Sequence, residues 1–273
     1  MLNYSHILYN GVKSYFFAWN VPSRRLSKKS GSSATWMQRH VSDPYVKAAV
    51  AQDLRSRSAF KLIQIQEKHK FIKPNHIVVD LGASPGGWSL HVSKLLLPQR
   101  QCLKNVVATS EHRATLPHNS IATSNSNADR DELTPLVAVD LLPMDPVPNC
   151  RFIEGDFTKN SVQAEISAAL GHKGCDVLLS DMLQNTCGRP SDDHFRSVDL
   201  VYSVLAFGST HVRVGGTVLA KFLRGADEQE LLAAARKEYL SVKVVKPDAS
   251  RKESAEVYLL AVGKRPASPV QAS

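Results

Sequence analysis

The stretch that most constrains the fold is IVVDLGASPGGW at residues 77–88, in which a β-branched apolar run leads directly into a glycine-rich turn. The residues at 88–97 then have the apolar spacing of a helix. A strand, a tight turn and a helix in this order open a doubly wound α/β domain, whose ligands bind at the carboxyl ends of the strands. Gly82, Gly86 and Gly87 predict that the backbone of the turn comes close to a ligand, because glycine has no Cβ in the way.

The spacing of these glycines excludes two common nucleotide-binding turns. No Gly-Lys-Ser/Thr follows, as a phosphate-binding P-loop would require. The dinucleotide pattern G-x-G-x-x-G is not matched either, since Ser84 stands where the second glycine belongs. A turn that contacts a nucleoside therefore fits better than one that binds a pyrophosphate. A turn that serves only the fold is the alternative.

Strand and helix patterns alternate over the rest of the chain, which predicts an α/β fold with a central, mostly parallel sheet of seven strands flanked by helices. Two helical pieces are expected within residues 42–70, before the first strand. The later strands are predicted at 136–140, 151–153, 175–181, 217–222, 241–246 and 256–262, with helices at 161–170, 193–212 and 227–239. A glycine turn at 214–216 is expected to precede the fifth strand. Residues 98–134 are rich in Ser, Asn and Thr and lack apolar periodicity, which predicts a long inserted loop.

The positive charge of the chain is concentrated at its amino end. Residues 1–42 contain six lysines and arginines and no Asp or Glu, which leaves three of the nine net positive charges for the remainder. Bulky apolar residues mixed with arginine, lysine and serine, without acids, are typical of a mitochondrial presequence, which we predict at residues 1–33. The protein is then expected in the mitochondrial matrix. A disordered basic arm that contacts RNA directly is the alternative.

Composition argues against several other classes of protein. No apolar run approaches the ~20 residues that a membrane span needs. The four cysteines form no CxxC pair and have no histidine nearby at ligand spacing, so neither a disulfide framework nor a metal site is expected. The expected organisation is a basic leader, one domain at 42–262 with the inserted loop, and a short tail at 263–273.

A carboxylate stands at or just beyond the end of each of four predicted strands. These residues are Asp80, Asp140, Asp156 and Asp181. The carboxyl ends of parallel strands meet at one edge of the sheet, where ligands of this fold bind. Helix capping is the alternative explanation for any single one of them. Taken together they predict a site for a nucleoside-type cofactor.

Lys221 lies within the apolar run of the fifth predicted strand, where a lysine is unexpected. Desolvation of an ammonium is costly unless the group is paired or deprotonated. A desolvated lysine beside other cations can act as a base, and an ion pair at the end of the sheet is the alternative. Glu256, at the head of the last strand, could pair with a lysine, or could be a solvated edge residue.

Three cations lie close to the start of the second helical piece: Arg55, Arg57 and Lys61. Cations are unfavourable at the amino end of a helix unless an anion compensates them. An RNA phosphate would do so, and a solvated charged face is the alternative.

Seven segments, in order along residues 42–262, resemble the motifs of one family. The sequence is similar to the FtsJ-like (RrmJ-type) ribosomal RNA 2′-O-ribose methyltransferases, and specifically to their mitochondrial large-subunit branch. The matching segments are LRSRSAFKL at 54–62, VVDLGASPGGWS at 78–89, VDLLPMDP at 139–146, EGDF at 154–157, LSDM at 179–182, LAKF at 219–222 and KPDASRKESAEVY at 246–258. The inserted loop and the acid-free leader resemble the mitochondrial branch rather than the bacterial relatives.

The resemblance implies a Rossmann-like methyltransferase fold with S-adenosylmethionine as cofactor. It implies a catalytic set of two lysines and two carboxylates, in which Lys221 matches the general base: Lys61, Asp181, Lys221 and Glu256. Cofactor contacts are implied for the turn and for three carboxylates: Gly82, Pro85, Gly86, Gly87, Trp88, Asp140, Asp156 and Asp181. Of these, Asp140 would accept hydrogen bonds from the cofactor ribose and Asp156 from the adenine amino group.

The resemblance also implies a substrate, a uridine in the peptidyl-transferase A-loop of mitochondrial large-subunit rRNA, methylated in support of mitochondrial ribosome biogenesis. Phosphate contacts are expected through Arg55, Arg57 and Lys252. One segment departs from the family pattern, since MLQN at 182–185 stands where Met-Ala-Pro-Asn is usual. Two other functions remain as alternatives, a noncatalytic RNA-binding ribosome-assembly factor that retains the fold and a nicotinamide-dependent oxidoreductase.

Overall fold

Seven strands form the centre of the fold in the computed structural model. They are β1 (Val78–Leu81), β2 (Leu136–Asp140), β3 (Cys150–Glu154), β4 (Cys175–Ser180), β5 (Val212–Leu223), β6 (Tyr239–Val245) and β7 (Glu256–Lys264). Their order across the sheet is β3-β2-β1-β4-β5-β7-β6. Strands β1 to β5 are parallel, and β7 runs antiparallel to both of its neighbours. The predicted α/β fold with a seven-stranded, mostly parallel sheet is confirmed.

Helices cover both faces of this sheet. They are α1 (Pro44–Ala51), α2 (Ala59–His69), α3 (Gly87–Leu96), α4 (Asn160–Ala169), α5 (Pro190–His211) and α6 (Glu228–Glu238). Residues such as Leu62 and Val92 pack α2 and α3 on one face, and Ile166, Val201 and Leu231 pack α4, α5 and α6 on the other. Strands β1 and β4 are buried along their whole length. Their continuous apolar sequences follow from this, because a parallel strand covered on both faces has no solvent side.

The structure describes residues 43–96, 134–184 and 186–266. The predicted leader at 1–33, nearly all of the inserted loop at 98–134 and most of the tail at 263–273 lie outside the described residues and stay predictions. Strand β7 continues to Lys264, past the predicted end of the last strand. Of the helices described, none is long and apolar enough to cross a membrane.

The fifth strand differs from its prediction. Strand β5 begins at Val212, where this residue pairs with Cys175 of β4. The next pair joins Val177 to Thr217, so five steps along β5 correspond to two along β4. The extra residues form a bulge, which Gly215 permits with a φ of +81°. The prediction that the glycines turn the chain before the strand was wrong, because they interrupt the ladder inside it instead.

Candidate active site

Lys221 and Asp181 form an ion pair at the carboxyl edge of the parallel strands. The Nζ atom of Lys221 lies 3.0 Å from Oδ1 of Asp181 and donates to the backbone oxygen of the same residue at 2.5 Å. The two residues are neighbours because Ser180 of β4 pairs with Ala220 of β5, one position before each of them. Lys221 is only 8% exposed. The structure therefore shows the predicted burial of this lysine together with the ion pair that was its alternative.

Lys61 and Glu256 form a second ion pair at the same edge. Lys61 lies in the first turn of α2 and Glu256 opens β7, and the ammonium donates directly to Oε1 of the glutamate. The side chains are only 11% and 15% exposed. The predicted pairing of Glu256 with a lysine is therefore observed, and removal of either partner would leave a largely buried charge without compensation.

Tyr258 connects the two ion pairs, and sequence reasoning gave it no role. Its hydroxyl lies 2.7 Å from Oδ1 of Asp181 and 3.2 Å from Oε1 of Glu256. The ring is fully buried, and desolvation together with these two carboxylates raises the pKa of Tyr258 well above its ordinary value. The phenol therefore stays protonated and acts as a donor. The five side chains form a continuous polar chain, which runs Lys221, Asp181, Tyr258, Glu256 and Lys61.

The feature that identifies Tyr258 as a site residue is the pairing of β5 with β7. Tyr258 stands opposite Lys221 in this antiparallel pair, and directly opposite side chains share one face of the sheet. Its ring also packs beside Trp88, with centroids 5.8 Å apart. A tyrosine in an apolar strand is ordinarily a core residue, so only the register distinguishes this one.

Three strand-end carboxylates converge beside the glycine turn, as the common edge of the sheet predicts. Asp80 is fully buried and accepts a hydrogen bond from Ser89 at 2.6 Å through Oδ2, while no described residue pairs with its buried Oδ1. Desolvation, and then the nearby carboxylates of Asp181 and Asp140, raise the pKa of Asp80 to about 7. A group of carboxylates in this arrangement favours a cationic ligand, whose charge would compensate theirs.

Asp80 is expected to make the ligand-free protein less stable as the pH rises from 5 to 7. The pKa of Asp80 is about 7 in the folded chain against an ordinary value of 3.8, so between these values the folded state binds the extra proton. Stability is therefore greatest below the lower value and falls as the pH rises through the window, by up to ~1.4 kcal/mol per pH unit. The variant Asp80→Asn resembles the protonated form and should remove this dependence.

Urea unfolding of both proteins at pH 5 and at pH 8 measures the effect of Asp80. Between pH 5 and pH 8, the unfolding free energy of the wild type should fall by about 2 kcal/mol more than that of Asp80→Asn. Equal losses in the two proteins would show that Asp80 is ionised throughout.

Asp140 and Asp156 already accept hydrogen bonds from their own loops. Asp140 accepts from the backbone N–H groups of Ser84 and Leu142, each at 2.8 Å, and so joins the loop after β2 to the glycine turn. Asp156 accepts from the hydroxyl of Thr158 at 2.7 Å and from its N–H at 2.9 Å, which hold the pKa of this carboxyl below its usual value. A carboxylate oxygen can accept more than one hydrogen bond, so contacts with a cofactor ribose and adenine stay predictions.

Two glycines of the turn combine a positive φ with a side chain packed close to the position of a Cβ. Gly82 has a φ of +74°, and a Cβ there would lie 2.2 Å from Cγ of Met182. Gly86 has a φ of +100°, and a Cβ there would lie 2.5 Å from Nη1 of Arg55. Any other residue would combine backbone strain with a clash at either position. The predicted close approach of this turn to a ligand stays a prediction.

The other turn residues with implied cofactor contacts differ in exposure. Pro85 is exposed, whereas Gly87 and Trp88 are buried. The Nε1 atom of Trp88 donates to the backbone oxygen of Ser58 at 2.9 Å. The indole therefore fixes the start of α3 against the start of α2, and contacts of these three residues with a cofactor stay predictions.

Arg55 and Arg57, predicted to contact RNA phosphates, have partners within the protein. Arg55 donates to the carbonyl oxygens of residues 145 and 146 at 2.7 and 2.6 Å, and Arg57 donates to that of Ala249 at 2.6 Å. Backbone carbonyls thus compensate cations near the start of α2, which no sequence pattern reveals. A guanidinium has five donor hydrogens, so phosphate contacts stay predictions. Lys252 is exposed in the loop before β7.

The loop that departs from the family pattern is fixed by Asp193 of α5. Its carboxylate accepts from the N–H groups of Cys187 at 2.6 Å and Gly188 at 3.1 Å, which lowers the pKa of Asp193. Residues 183 and 184 are exposed, and Asn185 lies outside the described residues. The two described departures therefore change the surface beside Asp181 and leave its ion pair intact.

The polar chain, the converging carboxylates and the glycine turn all lie at the carboxyl edge of the parallel strands. In the ranges that the structure describes, no group of three or more His, Cys, Asp and Glu side chains could bind a metal ion. Fold and site together define a doubly wound α/β enzyme, and proteins of this fold bind their ligands at this edge.

Comparison with known proteins places this enzyme in a family. The family model of the FtsJ-like methyltransferases matches residues 54–264. Ribosomal RNA large subunit methyltransferase E of Xanthomonas campestris pv. campestris (strain B100) is 36% identical over 240 residues, which cover 88% of this chain and 98% of that protein. The protein of the same name from Granulibacter bethesdensis is 37% identical over 239 residues, which cover 88% of each chain. The chain therefore belongs to the FtsJ-like methyltransferase family, as the sequence motifs predicted.

A solved structure agrees with this assignment. The crystal structure of a ribosomal RNA methyltransferase from Plasmodium falciparum superposes with a TM-score of 0.56 at 27% sequence identity. The match covers 77% of this chain and 97% of that one. The shared fold therefore extends over most of this chain and nearly all of that one.

Proposed function

We propose that this chain transfers a methyl group from S-adenosylmethionine to the ribose 2′-hydroxyl of a uridine in the peptidyl-transferase A-loop of mitochondrial large-subunit rRNA. Lys221 is the general base, and the reaction supports mitochondrial ribosome biogenesis. The observation that carries the proposal is the polar chain from Lys221 to Lys61. It sets the buried Lys221 beside the carboxylate of Asp181, which orients it, at the edge where this fold binds ligands.

The residues at this edge fit S-adenosylmethionine. Its sulfonium and ammonium groups are cationic, and the carboxylates of Asp140 and Asp181 supply the opposite charge. A bound cation would also favour the ionised form of Asp80, whose pKa is raised to about 7 without one. In addition, Oδ1 of Asp80 is a buried acceptor without a partner among the described residues. Asp140 would bind the cofactor ribose and Asp156 its adenine. When bound, the cofactor supplies a methyl group already activated on a sulfonium, so that positioning contributes much of the rate.

The residues of the chain itself have to orient a ribose and take up one proton. Lys221, in its amine form, accepts the proton of the 2′-hydroxyl at Nζ. Asp181 accepts hydrogen bonds from this nitrogen through its side chain and its backbone, which fixes the direction of the amine. Tyr258 donates to Asp181 and so keeps the carboxylate in place. Lys61, bound to Glu256, lies at the other end of the same polar chain.

The choice of substrate is supported by the relatives and by the chemistry of a base. Both similar proteins reported above are named ribosomal RNA large subunit methyltransferases, and the similar crystal structure is that of a ribosomal RNA methyltransferase. A general base is useful when the methyl acceptor is a weakly acidic alcohol, as a ribose hydroxyl is. The uridine and the A-loop follow from the resemblance of the sequence motifs.

A methyl-transfer assay with a synthetic A-loop RNA tests the proposal. The protein should bind S-adenosylmethionine in isothermal titration and transfer one methyl group per RNA. A matched RNA with 2′-deoxyuridine at the target should accept none. Methylation of that deoxy RNA would refute 2′-O transfer. Cofactor binding or RNA binding without any transfer would instead support the noncatalytic assembly factor.

The mitochondrial part of the proposal depends on the leader. It is supported by the six cations and the absence of acids within residues 1–42. A tagged protein that lacks residues 1–33 should no longer enter mitochondria, while the full chain should reach the matrix. An unchanged location of the shortened protein would contradict a presequence.

A further inference from the structure

A basic cavity lies at the opposite edge of the sheet from the catalytic lysines. It has a volume of about 550 Å³ and lies between the end of α2, the bulge of β5 and strands β6 and β7. The bulge leaves room at this cavity, because a Cβ built on Gly215 would meet nothing within 4 Å. Neither the ion pairs of the candidate active site nor the glycine-rich turn at 82–87 contributes to the lining.

The lining of this cavity is strongly positive. It contains four lysine and arginine side chains and one carboxylate, Asp176. Asp176 is already bound by Arg213 and by the backbone N–H of Ile77 at 2.8 Å. The remaining cations are Lys70, Lys73 and Lys243, which are exposed and have no carboxylate partner among the described residues. Three ammonium groups around one cavity repel each other unless an anion binds between them.

Two histidines line the same cavity and extend its capacity for hydrogen bonds. Desolvation and nearby cations lower the pKa of His69 and of His76, so both rings are neutral and carry one donor each near pH 7. The Nε2 atom of His69 is buried and has no hydrogen-bond partner within the described ranges. A buried polar atom of this kind is ordinarily satisfied by a ligand or an ordered water.

The cavity and the candidate active site lie on the same face of the sheet and are joined by two elements. On β5, Thr217 lines the cavity and Lys221 lies four residues further along, a distance of ~13 Å at about 3.3 Å per residue. Helix α2 has Lys61 in the catalytic pair and His69 at the cavity, ~12 Å apart at about 1.5 Å per residue. A stacked strand rises by about 3.4 Å per nucleotide along its axis, and its phosphates lie further apart than this along the backbone, so the span corresponds to at most about four nucleotide steps.

The geometry points to a second RNA phosphate site, in which Lys73, Lys243 and Lys70 bind the backbone of the substrate within about four nucleotides of the ribose that is methylated. The inference rests on the proposed function, because it takes RNA as the polyanion. The exposed lysines favour a backbone that passes over the cavity. The lining contains one Phe, Tyr or Trp residue, Phe71, and it is only 7% exposed, so the lining favours phosphate contacts over stacking on a large aromatic ring.

The test compares two double variants that remove the same charge. The cavity variant is Lys73→Gln with Lys243→Gln, and the control is Lys94→Gln with Lys237→Gln, two exposed lysines that do not line the cavity. Affinity is measured by fluorescence anisotropy over a salt series, with a long A-loop RNA and with a short RNA that ends one nucleotide from the target. Binding is measured without methyl transfer, so it is independent of whether the catalytic proposal holds.

The cavity variant should bind the long RNA about tenfold more weakly at 0.15 M salt. The slope of log K against log salt concentration should be smaller in magnitude by about 1.4, as expected for two lost phosphate contacts with a single strand. Its affinity for the short RNA and for S-adenosylmethionine should match the wild type. Lys73→Arg with Lys243→Arg should restore binding of the long RNA. Thermal unfolding should be unchanged, since both side chains are exposed.

Three outcomes would overturn the inference. One is equal weakening by the cavity and control variants, which would indicate a general charge effect. The second is equal weakening for the long and the short RNA. The third is unchanged RNA affinity while inorganic phosphate raises the melting temperature of the wild type but not of the cavity variant, which would assign the cavity to a free anion.

Discussion

The variant Lys221→Met is expected to lose methyl transfer by roughly 10²- to 10⁴-fold, the usual contribution of a positioned general base. Methionine fills a similar volume but cannot accept the proton of the ribose hydroxyl. Single-turnover transfer at saturating S-adenosylmethionine and A-loop RNA measures the loss. The affinity for S-adenosylmethionine, measured by isothermal titration, should stay close to that of the wild type.

A structural loss has to be separated from this chemical one. Removal of the Lys221 ammonium leaves Asp181 with the hydroxyl of Tyr258 as its remaining described side-chain donor, so the variant should also unfold more easily. The rate is therefore measured well below its melting temperature, beside the exposed-lysine control Lys237→Met. Wild-type rates in Lys221→Met would remove this residue from the mechanism. A loss of cofactor affinity as large as the loss of rate would assign it to binding.

The ion pair between Lys61 and Glu256 should give the second large effect, this time on stability. The variant Glu256→Gln leaves the Lys61 ammonium largely buried without a carboxylate. Breaking such a pair costs about 3 kcal/mol of unfolding free energy. For a domain of this size that corresponds to a fall in melting temperature of roughly 6–12 °C. Calorimetry on the wild type and on Glu256→Gln measures it.

The double variant Lys61→Met with Glu256→Leu separates the fold from the chemistry. Replacing both partners by apolar groups of similar size is often neutral for stability, so most of the lost free energy should return. Methyl transfer should not return, because the second lysine and its carboxylate are absent. Recovery of both properties would show that the pair serves the fold alone.

The parts of the site that the sequence predicts are those that follow from local pattern and strand direction. The run at 77–88 combines a buried strand with glycines, so its position at the ligand edge follows from chain order alone. Likewise, Asp80, Asp140 and Asp181 end parallel strands, and parallel strands end at one edge of the sheet. Their convergence could be predicted without any knowledge of the register between strands.

The parts that sequence reasoning missed depend on contacts between distant residues. Tyr258 gains its role from the β5–β7 register, which places it opposite Lys221. The partners of Arg55 and Arg57 are backbone carbonyls, which every residue possesses and which therefore leave no trace in residue type. Sequence alone also does not distinguish a turn from a bulge at Gly215, because a glycine permits either. In each case the long-range pairing decides between two locally equivalent outcomes.

The placement of β7 between β5 and β6 has a consequence for how the enzyme is made. Strand β6 pairs with β7 and with no other described strand, so it has no neighbour in the sheet until β7 is present. Glu256 and Tyr258 arrive on that same final strand. A nascent chain in which β7 has not yet been synthesised thus carries Lys61 and Lys221 without the residues that join them. Strand β7 therefore completes the sheet and the polar chain together.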